Sequence, residues 1–184
     1  VRTRILLFIL PTLAALFLLV APGVAADSRT KTEYMVKAAY LYNFLDFVEW
    51  PYEPVADIQK PYHICILGKN PFSGITEKMT DKRIRHRKVA VHSISSVEEL
   101  KECHLLYISS SERDALPQIL HALKSKSVLT VSDMQNFVNQ GGMIGFVNQS
   151  GTIRFEINTK AAQQTGLTIS SYLLKLARII VTDR

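Results

Sequence analysis

The chain has 184 residues, 47% of them hydrophobic and 21% charged, with a formal net charge of +6. That length holds one ordinary domain, and no repeat or low-complexity linker divides it. Beyond the first 26 residues no segment is long and apolar enough to span a bilayer, which takes about 20 residues.

The chain opens with Arg2 and Arg4, an uncharged stretch from Ile5 to Val20, and then Pro22, Gly23 and Val24-Ala25-Ala26. A basic start, an apolar middle and small residues before Asp27 predict a secretory signal peptide, residues 1–26, cut after Ala26. Val1 reads as an alternative start codon translated literally, which points to a bacterial gene. With no Cys after the apolar run, a lipoprotein anchor is not expected. The remaining residues 27–184 form one exported, mildly basic domain.

From Glu33 to Trp50 helical spacing links Val36, Tyr40, Phe44 and Phe47, with Leu41, Leu45 and Val48 beside them; Pro51 ends the helix. Apolar groups cover more than one stripe, so the helix is buried on more than one side or docks a partner. Tyr40, Phe44, Phe47 and Trp50 are the candidate partner-binding residues, because aromatics are enriched in interface cores.

Short apolar runs then predict strands at Tyr62–Gly68, Val89–Ile94, His104–Ile108 and Val128–Val131. Short helices are expected at Ser96–Glu102, Ala115–Ser125 and Met134–Gln140, the last stopped by Gly141-Gly142. Met143–Val147 and Thr152–Ile157 read as an antiparallel hairpin joined through Asn148–Gly151. Thr159–Val181 is expected to be helical, broken near Gly166. Near-continuous apolar strands alternating with helices give the fold class: α/β, one compact domain. Its mostly parallel mixed sheet is covered by helices on both faces and followed by a C-terminal hairpin and closing helix.

Lys78, Lys82, Arg83, Arg85, Arg87 and Lys88 crowd one short stretch. In a cytosolic protein this would suggest nucleic acid. An exported protein rarely meets any, so a solvated loop is the plainer reading, with an anionic lipid, wall polymer or phosphorylated small molecule as the alternative. Two cysteines, Cys65 and Cys103, leave three readings open: a disulfide, free buried thiols, or a metal site with His63 and His104. The spacing matches no zinc ribbon or finger.

Gly68–Gly74 follows the first strand but is neither a dinucleotide fingerprint nor a Walker loop. Lys69, Asn70, Ser109 and Asp133 all follow strands and are the candidate ligand cleft, since open α/β sheets bind ligands beyond the carboxyl ends of strands. Asp133 could equally cap a helix starting at Met134. Arg154 and Glu156 share a strand face, where they can pair. There is no Gly-x-Ser-x-Gly elbow and no His-Glu-x-x-His. No catalytic residues, metal or cofactor are expected. An envelope hydrolase would need a nucleophile and base converging at the strand ends.

Several segments together carry a resemblance: Val36-Lys-Ala-Ala-Tyr-Leu-Tyr-Asn-Phe44 with Val48-Glu-Trp-Pro51, Ile64-Cys-Ile-Leu-Gly68, Cys103-His-Leu-Leu-Tyr-Ile108 and Val128-Leu-Thr-Val-Ser-Asp133. Gly141-Gly-Met-Ile144, Arg154-Phe-Glu-Ile-Asn158 and Ser170–Arg178 continue it. Over nearly all of the exported part the chain resembles the YfiR family of bacterial periplasmic proteins. The resemblance implies a non-catalytic α/β repressor that binds the periplasmic sensor part of an inner-membrane diguanylate cyclase, lowers cyclic di-GMP and restrains biofilm formation. It also implies self-association as a homodimer and a Cys65–Cys103 disulfide. Some relatives carry a second cysteine pair, where this chain has Gly145 and Thr152, and basic residues where it has Thr168 and Ser170. The alternative function is a periplasmic small-solute-binding sensor using the strand-end cleft.

Overall fold

The structure is a computed structural model and describes residues 23–51, 60–79, 83–100 and 102–181. The expected signal segment lies almost wholly outside these residues, as does Lys82 of the basic stretch. The chain divides into two units, residues 1–32 and 33–184. The described part of the first is the opening of helix α1 (Gly23–Phe47), where the Thr32 hydroxyl donates to the Ser28 carbonyl over 2.9 Å. No helix among the described residues is long and apolar enough to cross a membrane.

In the second unit α1 runs on into a short strand, β1 (Val48–Glu49). The large sheet is built from β2 (Tyr62–Leu67), β3 (Arg83–Ile84), β4 (Arg87–Ile94), β5 (Leu105–Ile108), β6 (Leu129–Ser132), β7 (Ile144–Gln149), β8 (Thr152–Asn158) and β10 (Ile179–Val181). Between them lie helix α2 (Leu116–Leu123), helix α3 (Thr159–Gln164), strand β9 (Thr168–Ile169) and helix α4 (Ser171–Leu176). The sheet order is β10-β8-β7-β6-β5-β2-β4-β3. From β4 across to β7 all pairings are parallel; β8 runs antiparallel to β7, and β3 to β4. Every residue of β5 and β6 is buried. Such strands need cover on both faces, which is why β5 is a continuous apolar run, while in β6 the buried Thr130 hydroxyl accepts from the Met143 N–H and the buried Ser132 hydroxyl donates to the Ile108 carbonyl.

The two faces carry separate cores. Leu41, Phe44 and Leu45 of α1 pack with Ile64, Ile66, Leu105 and Val131 on one, joined by Ala162 of α3 and Leu173 of α4. Leu116, Ile119 and Leu123 of α2 pack with Leu67, Leu106 and Ile108 on the other. In α1 the buried side chains include Lys37, Ala38, Leu41, Tyr42, Phe44 and Leu45, with Val48 just beyond its end. Of the expected positions Leu41, Phe44, Leu45 and Val48 are buried and Tyr40 and Phe47 pack against the core, whereas Val36 is exposed.

Turn chemistry fixes both hairpins. Ser150 (φ 51°) and Gly151 (φ 83°) link β7 to β8 with two left-handed residues, the form that matches the strand twist. Arg85 (φ 48°) and His86 (φ 69°) do the same between β3 and β4 without glycine, at some steric cost. Arg85 is held by a contact elsewhere. Its guanidinium donates to the Asp46 carbonyl and lies 3.5 Å from the Asp46 carboxylate. The last turn of α1 contains no basic residue, so the hairpin supplies the cation its C-terminus favours.

Three sequence expectations change. Met134–Gln140 is not an α-helix but a run of turns closed by a 3-10 helix, Val138–Gln140, which Gly141 (φ 101°) stops. The expected closing helix from Thr159 to Val181 is broken up: α3 ends before Gly166 (φ 79°), β9 pairs with β1, and β10 adds to β8. Register then sets Ile179 opposite Glu156, and Arg178 lies 3.7 Å from that carboxylate, in place of the expected Arg154.

Cys65 and Cys103 are bonded, with Cα atoms 6.1 Å apart and a sequence separation of 38. No thiolate is left for the metal reading of these residues. Closing a loop of that length is worth about 3–4 kcal/mol in the chain-entropy account. The Cys65→Ala/Cys103→Ala variant should lose that much in urea unfolding, and reductant should lower the midpoint of the natural protein but not of the variant.

Candidate functional site

The parallel strands walk one way from β2 to β4 and then back across β2 to β5, so the switch point lies between the carboxyl ends of β2 and β5, where α/β sheets take ligands. Three of the four expected cleft residues meet there. The Lys69 backbone N–H donates to Ser111 Oγ over 3.0 Å, and Ser109 Oγ accepts from the Ser111 N–H. The Asn70 amide donates to Ser93 Oγ over 3.0 Å and its carbonyl accepts from the Phe72 N–H. These residues satisfy one another, and the notch between them is filled. A Cβ on Gly68 (φ 84°) would lie 2.4 Å from both Ser111 Oγ and Glu112 Oε1.

Asp133 ends β6 on the same edge but turns away from the notch. Nor does it cap the following turn, where Ser132 Oγ accepts from the Met134 N–H instead. Its Oδ2 accepts from Lys37 Nζ at 2.7 Å and Tyr34 Oη at 3.0 Å, both on α1. Lys37 is only 4% exposed, lies 2.6 Å from Glu33 and sits over the Tyr34 ring at 4.4 Å. Glu33 in turn accepts from the Asn148 amide on β7. Burial alone would raise the Asp133 carboxyl. The Lys37 ammonium and the Tyr107 and Tyr34 hydroxyls outweigh it and hold the group below its ordinary range. Burial and that carboxylate push the Tyr34 phenol up to about 12 and raise the Tyr107 phenol as well. This is a structural clamp across the ends of β5, β6 and β7.

The four aromatic residues of the expected docking face do not form one exposed surface. Phe44 is fully buried, stacked between Tyr40 and Phe146. Tyr40 is half-buried against Phe155, and Phe47 packs on the same core. Half-buried Trp50 meets the rings of Tyr62 and His104. The exposed apolar side chains of the last segment lie together in sequence: Tyr172 (70% exposed), Leu176 (60%) and Ile179 (42%). Tyr172 and Leu176 stand one helical turn apart on α4, and Ile179 opens β10, the edge of the sheet.

At the opposite end of the parallel strands is a cavity of about 610 Å3, lined by Trp50, Lys60, His63, Arg87, Glu102 and His104 among others. Arg87 is buried, donates to the Lys60 carbonyl over 2.6 Å and lies 3.8 Å over the Tyr62 ring. His63 Nδ1 and His92 Nε2 are 3.0 Å apart. Among the described residues no group of three or more His, Cys, Asp or Glu side chains is placed to hold a metal ion.

The profile of the YfiR/HmsC-like proteins matches residues 34–178. The chain belongs to the YfiR/HmsC-like family. A crystal structure of the ABC domain in complex with L-Trp from Streptococcus pneumonia is similar to this YfiR/HmsC-like chain with a TM-score of 0.48 and 14% identity, over 65% of this chain and 55% of that one. The chain thus covers about half the length of that protein.

Sequence reasoning missed the Lys37 clamp and the imidazole pair. A lysine at helical spacing between Tyr34 and Leu41, inside an apolar stripe, was the available signal for the first. Lys37→Met leaves the Asp133 charge buried and unmatched, which should cost about 3–5 kcal/mol in urea unfolding, and adding Asp133→Asn should return much of it. Because the folded carboxyl titrates below its ordinary value of about 3.9, the clamp stabilises fully above that pH. Its contribution is lost as pH falls through the lower folded value, and the double variant should lack this acid-limb loss.

Proposed function

We propose that this protein is a non-catalytic periplasmic regulator that binds the periplasmic sensor part of an inner-membrane diguanylate cyclase and holds it inactive, lowering cyclic di-GMP. Membership of the YfiR/HmsC-like family supports the class of partner. The observation that carries a docking role is the exposed apolar group Tyr172, Leu176 and Ile179. Aromatic and aliphatic side chains at such exposure are what an interface core buries. Export through a cleaved signal at residues 1–26 would bring this surface to the same side of the membrane as the sensor. The regulator acts by binding the inactive conformation of the sensor more tightly than the active one, because only differential affinity shifts an equilibrium.

A second reading, a small-solute sensor, is favoured by the cavity beside Trp50 and Arg87 rather than by the filled notch at Gly68. Calorimetry against nucleotides, amino acids and wall fragments separates it from simple docking by the presence of binding heat.

The docking surface is tested by crosslinking in cells and mass spectrometry of the captured membrane proteins. The natural chain should capture a membrane protein with a cytoplasmic diguanylate cyclase domain. Leu176→Glu should weaken that binding by at least about 30-fold, the scale of a hot-spot residue of 2 kcal/mol or more, with the urea midpoint unchanged. Undiminished capture by a folded Leu176→Glu protein would remove α4 from the interface.

A further inference from the structure

We propose that His63 and His92 form a proton-operated latch between β2 and β4, closed when the pair holds a single shared proton at its facing nitrogens and opened by a second. Their rings lie 19° from parallel with centroids 5.1 Å apart, and the nearest nitrogens, His63 Nδ1 and His92 Nε2, are separated by 3.0 Å. At that distance one nitrogen donates and the other accepts. The two residues sit on neighbouring strands in diagonal register, since His63 pairs with Ala90 and His92 with Cys65, so the bond ties the two strands beyond their ladder. Protonation of both rings sets N–H against H–N and places two positive charges side by side.

The surroundings sharpen this response. Arg87, buried on β4, contributes a fixed positive charge, and Lys60 and Lys126 line the same cavity. His104 of the segment entering β5 stacks 6.1 Å from His63 and accepts the His63 backbone N–H at Nδ1. Glu102 is the opposing charge, 3.8 Å from the far nitrogen of His63, but its side chain is 71% exposed and water screens it. Burial, then His92, and also Arg87 lower the His63 value against the pull of Glu102. Because Glu102 stands on the far side of His63, the two facing nitrogens point at each other and not at a common third ligand, which is the geometry of a shared proton and not of a metal site.

Linkage sets the direction of the pH response. The folded imidazole takes its proton at lower pH than the unfolded one, whose ordinary value is about 6.5. The unfolded chain therefore binds more protons as pH falls, and the latch's contribution is full above about 6.5 and lost as pH drops toward the folded value. This inference concerns the strands themselves and does not rest on the docking reading.

The test is urea unfolding of the full chain from pH 5 to 8 with EDTA present, for the natural protein, His92→Gln and His63→Gln. Between pH 7 and 5 the natural protein should lose more of its folding equilibrium constant than His92→Gln, because the folded state holds the His63 proton less tightly than the unfolded chain does. The same pH dependence in all three proteins would overturn the latch. Should His63→Gln fail to fold, the imidazole NMR titration of the natural protein decides. Titration of His63 below its ordinary value, moving back toward it in His92→Gln, supports the latch, and a value indifferent to His92 removes it.

Discussion

The contact between Lys37 and Asp133 fixes how α1 lies across the sheet. The helix brings a lysine, a tyrosine and a glutamate to one buried spot, and the sheet brings an aspartate from the end of β6, a tyrosine from β5 and an asparagine from β7. Such a cluster has a narrow set of geometries in which every charge is matched, so it specifies position more than it adds net stability. With the helix pinned near its middle by the clamp and at its C-terminus by Arg85 and the β1–β9 pair, its position carries through to the last segment. The Ser170 N–H that opens α4 donates to the carbonyl of Phe47, the final residue of α1.

Polar groups near the strand ends divide into two kinds. At the switch point the side chains of Ser93, Ser109, Ser111 and Asn70 close on one another and on the backbone, so the place where this architecture usually receives a ligand is occupied from within. At the other end His63, His104, Arg87 and Trp50 surround open space. The serine hydroxyls at the switch point thus give the backbone N–H groups of Lys69 and Ser111 and the Asn70 amide their partners.

The sheet was legible where burial leaves one periodicity. Ile64-Cys-Ile-Leu67 and His104-Leu-Leu-Tyr-Ile108 have no polar alternation and no helical length, so a covered parallel strand was the simple solution. The β7–β8 hairpin announced itself through the short link Asn148–Gly151, of which only Ser150 and Gly151 form the turn. The last segment was not legible because its apolar residues fit a helix locally, while pairing of β10 with β8 and of β9 with β1 is decided by distant backbone groups. The same limit applies to the site. Nothing in local spacing links His63 to His92 across 29 positions or Lys37 to Asp133 across 96. Register and helix docking create those pairs, and both belong to tertiary structure. Composition cannot tell a core stripe from an interface stripe, so Phe44 sorts with its aromatic neighbours as a docking residue until burial separates it from them.

The two edges of the large sheet differ in character. One ends on β3, a two-residue strand in a hairpin that exposes Arg83, Arg85, His86 and Lys88; the other ends on β10, whose residues are Ile179, Ile180 and Val181. Both edge strands are short, which makes either a poor template for another strand, and only the first adds dense positive charge. An approaching cationic strand is therefore repelled at the β3 edge, a bias that no charged residue of β10 supplies at the other.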